Sequence, residues 1–304
     1  MTDKLKIILI YGLICLIWGS TWLAIRIGLE SFTPLFSAGI RFIIAAVAIF
    51  LITRLSNMHF QFDKVAIMLY VVMGLFSFVI PFGLVYWAEQ FVPSGLAAVL
   101  FAVYPFFVAL FSFYLVKTER ISLLKTFGMI ISFIGIVVIF SNDLNADISD
   151  NLIGMIAVVI SAIMQAVIAV IIKKYGSHLH PLSMNFFPML IGGVVLVFIG
   201  LWFEDVYNVT ITAPAVLSIF YLALFGSVIT FTSYYWLMKK INIVILSLIS
   251  FITPVIAIII GWIFYSESLE PQHIAGAVLV LAGLSFESII KLFKVKANIP
   301  ISKE

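Results

Sequence analysis

Charge is what this sequence has least of. Asp, Glu, Lys and Arg make up only 10% of 304 residues, whereas a soluble domain carries about 25%. Such a chain cannot cover a water-facing surface. Cysteine is almost missing too: Cys15 stands alone inside the first apolar run, which excludes a disulfide framework and a cysteine metal site. The histidines, His59, His178, His180 and His273, fall in loops or at helix ends. No HExxH and no Asp-rich metal motif lies beside an apolar run, so no metal or cofactor is expected. No nucleophile with its base can be assembled for a membrane-embedded enzyme, and no repeated ring of carbonyls or charges suggests a channel filter. No small-residue cleavage site follows MTDKLKIILIYGL, so the first run reads as a retained helix. Basic residues scatter without aromatic interleaving, which argues against a nucleic-acid partner.

What the chain does have is apolar length. Hydrophobic residues make up 64% and the mean hydropathy is +1.24, which gives an all-α integral membrane protein whose surroundings are a lipid bilayer. At about 20 apolar residues per crossing, ten spans are expected, at 5–25, 34–53, 65–87, 95–116, 122–140, 151–172, 181–203, 214–238, 242–265 and 272–292. With the N-terminus inside, the inner segments hold every basic residue except Arg26 and Arg41. Glu30, Glu89, Asp143, Asp147, Asp150, Glu204, Asp205, Glu267 and Glu270 gather outside. This bias supports ten crossings with both termini cytoplasmic. The acidic stretch NDLNADISDN reads as a solvated linker.

The two halves echo each other. Tyr86-Trp87, Pro105, Glu119, Gly128 and Gly135 in the first correspond in order to Tyr235-Trp236, Pro254, Glu267, Gly276 and Gly283 in the second, at offsets of 149 and then 148. Pro34 and Pro181 open the second span of each half. Five spans per half is an odd number, so the second copy is expected to be inverted, which is how many secondary transporters are built, with substrate near the midplane. The division is 1–142, 143–293 and a cytoplasmic tail at 294–304.

Five stretches carry a resemblance: WGSTWLAIRIGL (18–29), AGIRFIIAA (38–46), YWAEQFVPSGLAAVLFAVYPFFVAL (86–110), KTERISLLKTFGMIISFIGIVVI (117–139) and YSESLEPQHIAGAVLVLAGL (265–284). Together they resemble the drug/metabolite transporter superfamily, in particular its EamA-type members with two five-helix repeats, over about residues 5–293. The resemblance implies an exporter or exchanger of amino acids and other small metabolites. Such proteins often have an aromatic residue in the middle of the sixth span, where this chain has Gln165.

The candidate substrate residues follow from polarity at helical spacing. Trp18, Thr21 and Trp22 share a helix face, and lipid offers no partner to an indole N–H or a hydroxyl. Gly19 and Ser20 on the other face would allow close helix packing. Arg41 lies about 10 Å inside Pro34 at 1.5 Å per residue, where an ionisable group marks a functional site; it could grip a carboxylate with a bidentate fork or be tied down structurally. Arg26 can pair with Glu30 one turn on. Ser77, Gln165, Thr230, Tyr234 and Ser250 lie on faces that avoid lipid, and Tyr104 adjoins Pro105. The pairs Tyr86–Trp87 and Tyr235–Trp236 are gates or interfacial anchors, and Pro105 and Pro254 are hinges or static bends in the middle of spans four and nine. Glu89 and Glu287 are the acidic candidates for proton coupling. The expected substrate is a neutral or zwitterionic amino acid or a related apolar solute, moved by alternating access around an aromatic, hydroxyl-lined cavity, by a monomer or homodimer. Two alternatives stay open, an integral-membrane enzyme and a non-transporting receptor or subunit. Residue usage rich in Ile, Phe and Lys points to a multi-pass protein of a bacterial inner membrane.

Overall fold

A computed structural model describes residues 3–92, 94–116, 122–139, 148–207, 209–265 and 271–297, without the side chains of 94–96, 99, 139, 148–151, 258, 261–265, 273 and 287–297. Every regular element among the described residues is helical. They are α1 (Asp3–Leu29), α2 (Pro34–Leu55), α3 (Lys64–Ala88), α4 (Ser94–Phe101), α5 (Tyr104–Leu115), α6 (Leu123–Ile139), α7 (Ile148–Tyr175), α8 (Pro181–Phe203), α9 (Ala213–Lys240), α10 (Ile243–Ser247), α11 (Ile249–Tyr265) and α12 (Pro271–Ala297). Among these residues, six helices, α1, α2, α3, α7, α8 and α9, are long and apolar enough to cross a membrane, α7 over Leu152–Tyr175. Shorter apolar helices lie at Tyr104–Leu115, Leu123–Val138, Ile243–Ala257 and Ile274–Phe286.

The helix starts follow local chemistry. Prolines 34, 181 and 214 sit in the first turns of α2, α8 and α9, where a missing N–H costs nothing. Asp63 caps α3 by accepting from the N–H groups of Val65 and Ala66, both at 3.0 Å.

Two expected spans are broken, and the reason is proline. The run 95–116 is two helices with Ala102 and Val103 in a turn. Pro105 has no N–H for the Phe101 carbonyl and its ring clashes there, so the chain reinitiates and Pro105 stands in the first turn of α5 rather than in mid-helix. The run 242–265 breaks at Leu248 and then carries Pro254 inside α11. The two prolines therefore do different things to their helices.

Neither π-helical stretch was visible in the apolar pattern. Gly74–Val79 lies within α3 and Leu224–Ile229 within α9. They run into the related sequence motifs LFSFVIPF (75–82) and LFGSVITF (224–231). A π turn inside an α-helix displaces the i→i+4 ladder and is frequent at functional sites.

Packing pairs like with like. α2 lies along α8 and α6 along α12, while α1 packs on α11 and α9 as α7 packs on α5 and α3. Glycine makes the α6–α12 contact possible. A Cβ on Gly135 would stand 2.7 Å from the Gly276 oxygen and 2.7 Å from the Val280 nitrogen, and Gly128 faces the Gly283 carbonyl just as closely. These glycines are packing devices.

The ends of the bundle are tied by helix caps. At one end Glu204 accepts from the N–H of Leu35 (2.9 Å) with one oxygen and of Phe36 (3.0 Å) with the other, holding the start of α2 to the end of α8. At the opposite end Lys173 donates to the carbonyls of Met238 (2.6 Å) and Ile241 (2.9 Å), and Lys239 donates to Leu179. The two Lys173 bonds place a cation on the last carbonyls of α9, where it is favourable.

Candidate functional site

Between α1, α3, α5, α7, α9 and α11 lies a cavity of about 150 Å³. Its wall includes Trp18, Thr21, Trp22, Arg41, Ser77, Tyr104, Gln165, Tyr234 and Ser250, and also Tyr235. Phe82, Phe101 and Phe231 add aromatic surface. Thus nine of the ten expected substrate residues line one space. The tenth, Thr230, does not: its hydroxyl donates to the Gly226 carbonyl at 2.7 Å and the side chain is fully buried.

The first span does two jobs on two faces. Trp18 and Trp22 look into the cavity, Trp18 meeting Phe231 edge-on at 5.3 Å and Tyr234 at 5.4 Å. On the other side a Cβ at Gly19 would lie 2.6 Å from Cγ2 of Ile256, so α1 and α11 are in close contact there. Ser20 donates to the Ile17 carbonyl (2.7 Å) and meets the Tyr221 hydroxyl at 2.5 Å. Several hydroxyls at the wall turn back onto backbone one turn earlier: Thr21 bonds the Trp18 carbonyl, Ser247 that of Val244 and Ser250 that of Ser247. Ser77 is different. It donates from α3 to Oε1 of Gln165 on α7 at 2.7 Å, and Nε2 of Gln165 returns a bond to the Ser77 carbonyl at 3.2 Å.

The π stretches explain where these donors go. Gln165 of α7 reaches the carbonyl of Ser77, and Trp18 of α1 points its indole N–H at the carbonyl of Gly226, a long contact of 3.4 Å. Ser77 and Gly226 are equivalent at the offset of 149 that aligns the two π sequences. Each half therefore supplies a side-chain donor to the irregular backbone of the other.

Arg41 is buried to 2% exposure and is held by Ser227 Oγ (Nε, 2.9 Å), the Tyr86 hydroxyl (Nη1, 3.0 Å) and the Gly226 carbonyl (Nη2, 3.2 Å). Phe42 and Phe82 each lie 5.3 Å from its guanidinium carbon. A guanidinium has five N–H groups, so two remain beyond these bonds, and none of the three partners is a carboxylate. Arg41 does not snorkel outward and does not pair with Glu30. Arg26 and Glu30 are both exposed, and among the described residues no ion pair joins them.

The other candidates are spread out. Tyr86 anchors Arg41 and is fully buried, whereas Trp87 is 36% exposed and meets Phe91 edge-on at 5.2 Å. Trp236 is flanked by Lys6 at 5.1 Å and Lys240 at 5.9 Å. Glu89 ends α3 with both carboxylate oxygens buried and without a hydrogen-bond partner. The side chain of Glu287 lies outside the described residues, as do Glu119 and Glu267. Sequence reasoning overlooked Phe82 and Phe231 at the wall, although they hold equivalent places in the two π motifs. Among the described residues no group of His, Cys, Asp and Glu could hold a metal ion.

These features define a multi-pass helical membrane protein with a central, sparsely charged cavity. A sequence model of the EamA-like transporter family matches it twice, over residues 5–141 and 152–288; the chain belongs to that family and contains two copies of its repeat. An uncharacterized transporter YoaV of Bacillus subtilis is 30% identical, covering 89% of this chain and 92% of its own. Protein PagO of Salmonella typhimurium is 29% identical over 98% and 96%. An uncharacterized inner membrane transporter, YedA of Escherichia coli, is 32% identical over 88% and 86%. A solved crystal structure superposes with a TM-score of 0.78 at 16% identity, over 94% of this chain and 98% of its own, which shows the fold alone. The family, the apolar helices and the bacterial relatives together make this a multi-pass inner-membrane protein. The names of the family and its members point to a transporter rather than an enzyme.

Proposed function

We propose that the protein is a secondary transporter that exports or exchanges neutral or zwitterionic amino acids, or related apolar solutes, by alternating access. Ten spans in two inverted halves, 1–142 and 143–293, would surround the cavity, with both termini cytoplasmic and the Lys173 end of the bundle inside. The observation that carries this reading is Arg41. It is a buried cation at the cavity wall, fixed by three neutral acceptors, with N–H groups to spare. A carboxylate placed there would gain charge-assisted bonds and relieve an uncompensated buried charge. The remaining wall is aromatic and hydroxyl-bearing, which suits an apolar side chain and an amine better than a polyanion. A sugar phosphate would need several cations, and Arg41 is the buried cation of this wall.

The crossed donors of Trp18 and Gln165 support a mechanism in which the two halves exchange roles. Tyr86 and Tyr235 are then the inner parts of the gates, while the exposure of Trp87 fits an interfacial anchor. Pro105 and Pro254 would be the hinges. The test is counterflow of a radiolabelled amino-acid panel into proteoliposomes, with and without a pH gradient. Saturable flux of one class that Arg41→Ala abolishes is expected; flux unchanged in Arg41→Ala would remove the carboxylate anchor, and no flux from any panel member would remove the amino-acid assignment.

A further inference from the structure

Glu89 stands three residues after Tyr86, so both leave α3 on one face, and the Tyr86 hydroxyl is bonded to Arg41 at 3.0 Å. The carboxyl is thus placed beside the Arg41 cluster, on its Glu204 side. Both its oxygens are buried and accept nothing. Ala88 and Val92 next to it pack with Ala97 of α4 and Ala157 and Val158 of α7, all apolar. Among the described residues, the charged or titratable groups whose electrostatic influence extends to Glu89 are Arg26 from α1, Arg41 from α2 and Tyr86 from its own helix.

An ionised carboxylate in that position would have lost water without gaining a donor, which is costly. It would also set a negative charge beside Arg41 and cancel the field that draws in a solute carboxylate. The neutral carboxyl does neither. We propose that Glu89 is the proton site of the transporter: it carries a proton when Arg41 takes a carboxylate, so proton and solute are bound together and travel the same way. Of the two proposed modes, this fits exchange and not proton-driven export. The proton comes from water, converts the Glu89 carboxylate to the acid and returns to water when the solute leaves. This rests on Arg41 as the carboxylate anchor.

The coupling has a sign. Protonation of Glu89 and binding at Arg41 favour each other, and the effect is reciprocal. Affinity is therefore highest where Glu89 is protonated and falls as pH rises through its titration, by up to about tenfold per pH unit for one linked proton. The experiment is binding of the panel amino acid with the highest counterflow to full-length protein in nanodiscs across pH. Wild type should lose affinity at high pH, Glu89→Gln should keep the low-pH affinity throughout, and Glu89→Asp should restore the dependence. A Glu89→Gln profile that parallels wild type, or one uniformly weak, would overturn the proposal. If instead Arg41→Met binds as wild type does, the anchor reading fails, and if no panel solute binds, both fall. Should Glu89→Gln not fold, carbodiimide labelling of the wild type decides, because the reagent attacks neutral buried carboxyls. Mass spectrometry should find Glu89 modified at pH 6 and progressively less at higher pH; no modification at pH 6 would refute the assignment.

Discussion

Replacing Arg41 by methionine keeps much of the side-chain volume and removes the charge. Three bonds to a cation would be worth about 1.5–3 kcal/mol each, which suggests a severe loss. The desolvation of the guanidinium opposes them, also by several kcal/mol, and the two nearly cancel. What decides the outcome is which acceptors are orphaned. Ser227 still donates to the Leu222 carbonyl at 2.9 Å, and the Gly226 carbonyl still accepts from Thr230 at 2.7 Å. The fully buried Tyr86 hydroxyl is left without the Arg41 donor. One unsatisfied buried hydroxyl costs about 1–3 kcal/mol. Arg41→Met is therefore expected to lose about 2 kcal/mol in chemical denaturation in mixed micelles, and adding Tyr86→Phe should recover about half. Transport stays absent in both variants. A loss above about 5 kcal/mol, or a second substitution that adds its own loss, would refute this reasoning.

Four other outcomes follow from further contacts. Gly135→Val, whose Cβ meets the α12 backbone at 2.7 Å, should cost about 1–3 kcal/mol by overpacking. Gly12→Ala, with nothing within 4 Å, should be neutral or stabilising by up to about 1 kcal/mol in a thermal melt. The hydroxyls of Tyr104 and Tyr234 share one bond of 2.7 Å, so either Phe substitution should cost about 1 kcal/mol and the double variant little more; simple additivity would contradict the shared bond. His180, just before α8, accepts from the Leu182 N–H through Nδ1, at 3.2 Å. Burial first and then Lys239 push its pKa down, so its contribution is complete above about pH 6.5 and is lost as pH falls toward the lower folded value. His180→Asn should flatten stability over that window, measured by melting at stepped pH.

How much of this was legible beforehand depends on the kind of force involved. Membrane crossing is a matter of apolar length, so the runs around α2, α7 and α8 were readable to within a few residues. The repeat was readable because paired prolines, glycines and the Tyr-Trp dipeptides survive in order. The cavity face of α1 was readable because Trp18, Thr21 and Trp22 have no use in lipid. The π stretches were not, since one extra residue in a run apolar on all sides leaves the pattern unchanged. The partners of Arg41 were not either: Ser227 and Gly226 are more than 180 positions away in the chain, and only packing selects them. Thr230 was misplaced because spacing gives the helix face and not the direction of the hydroxyl, which turns back onto its own backbone.

The π stretches also fix an angular phase. One residue of α-helix is about 100° of rotation at 3.6 residues per turn. Removing a single residue between Gly74 and Val79 would restore a regular ladder and swing everything after it in α3 by that angle. The span would remain long and apolar enough to cross, yet the Tyr86 hydroxyl would no longer meet Arg41, and Glu89 would face a different neighbour. Each stretch works as an indexing notch, and a gap of one at either place would scramble the site while leaving hydropathy untouched.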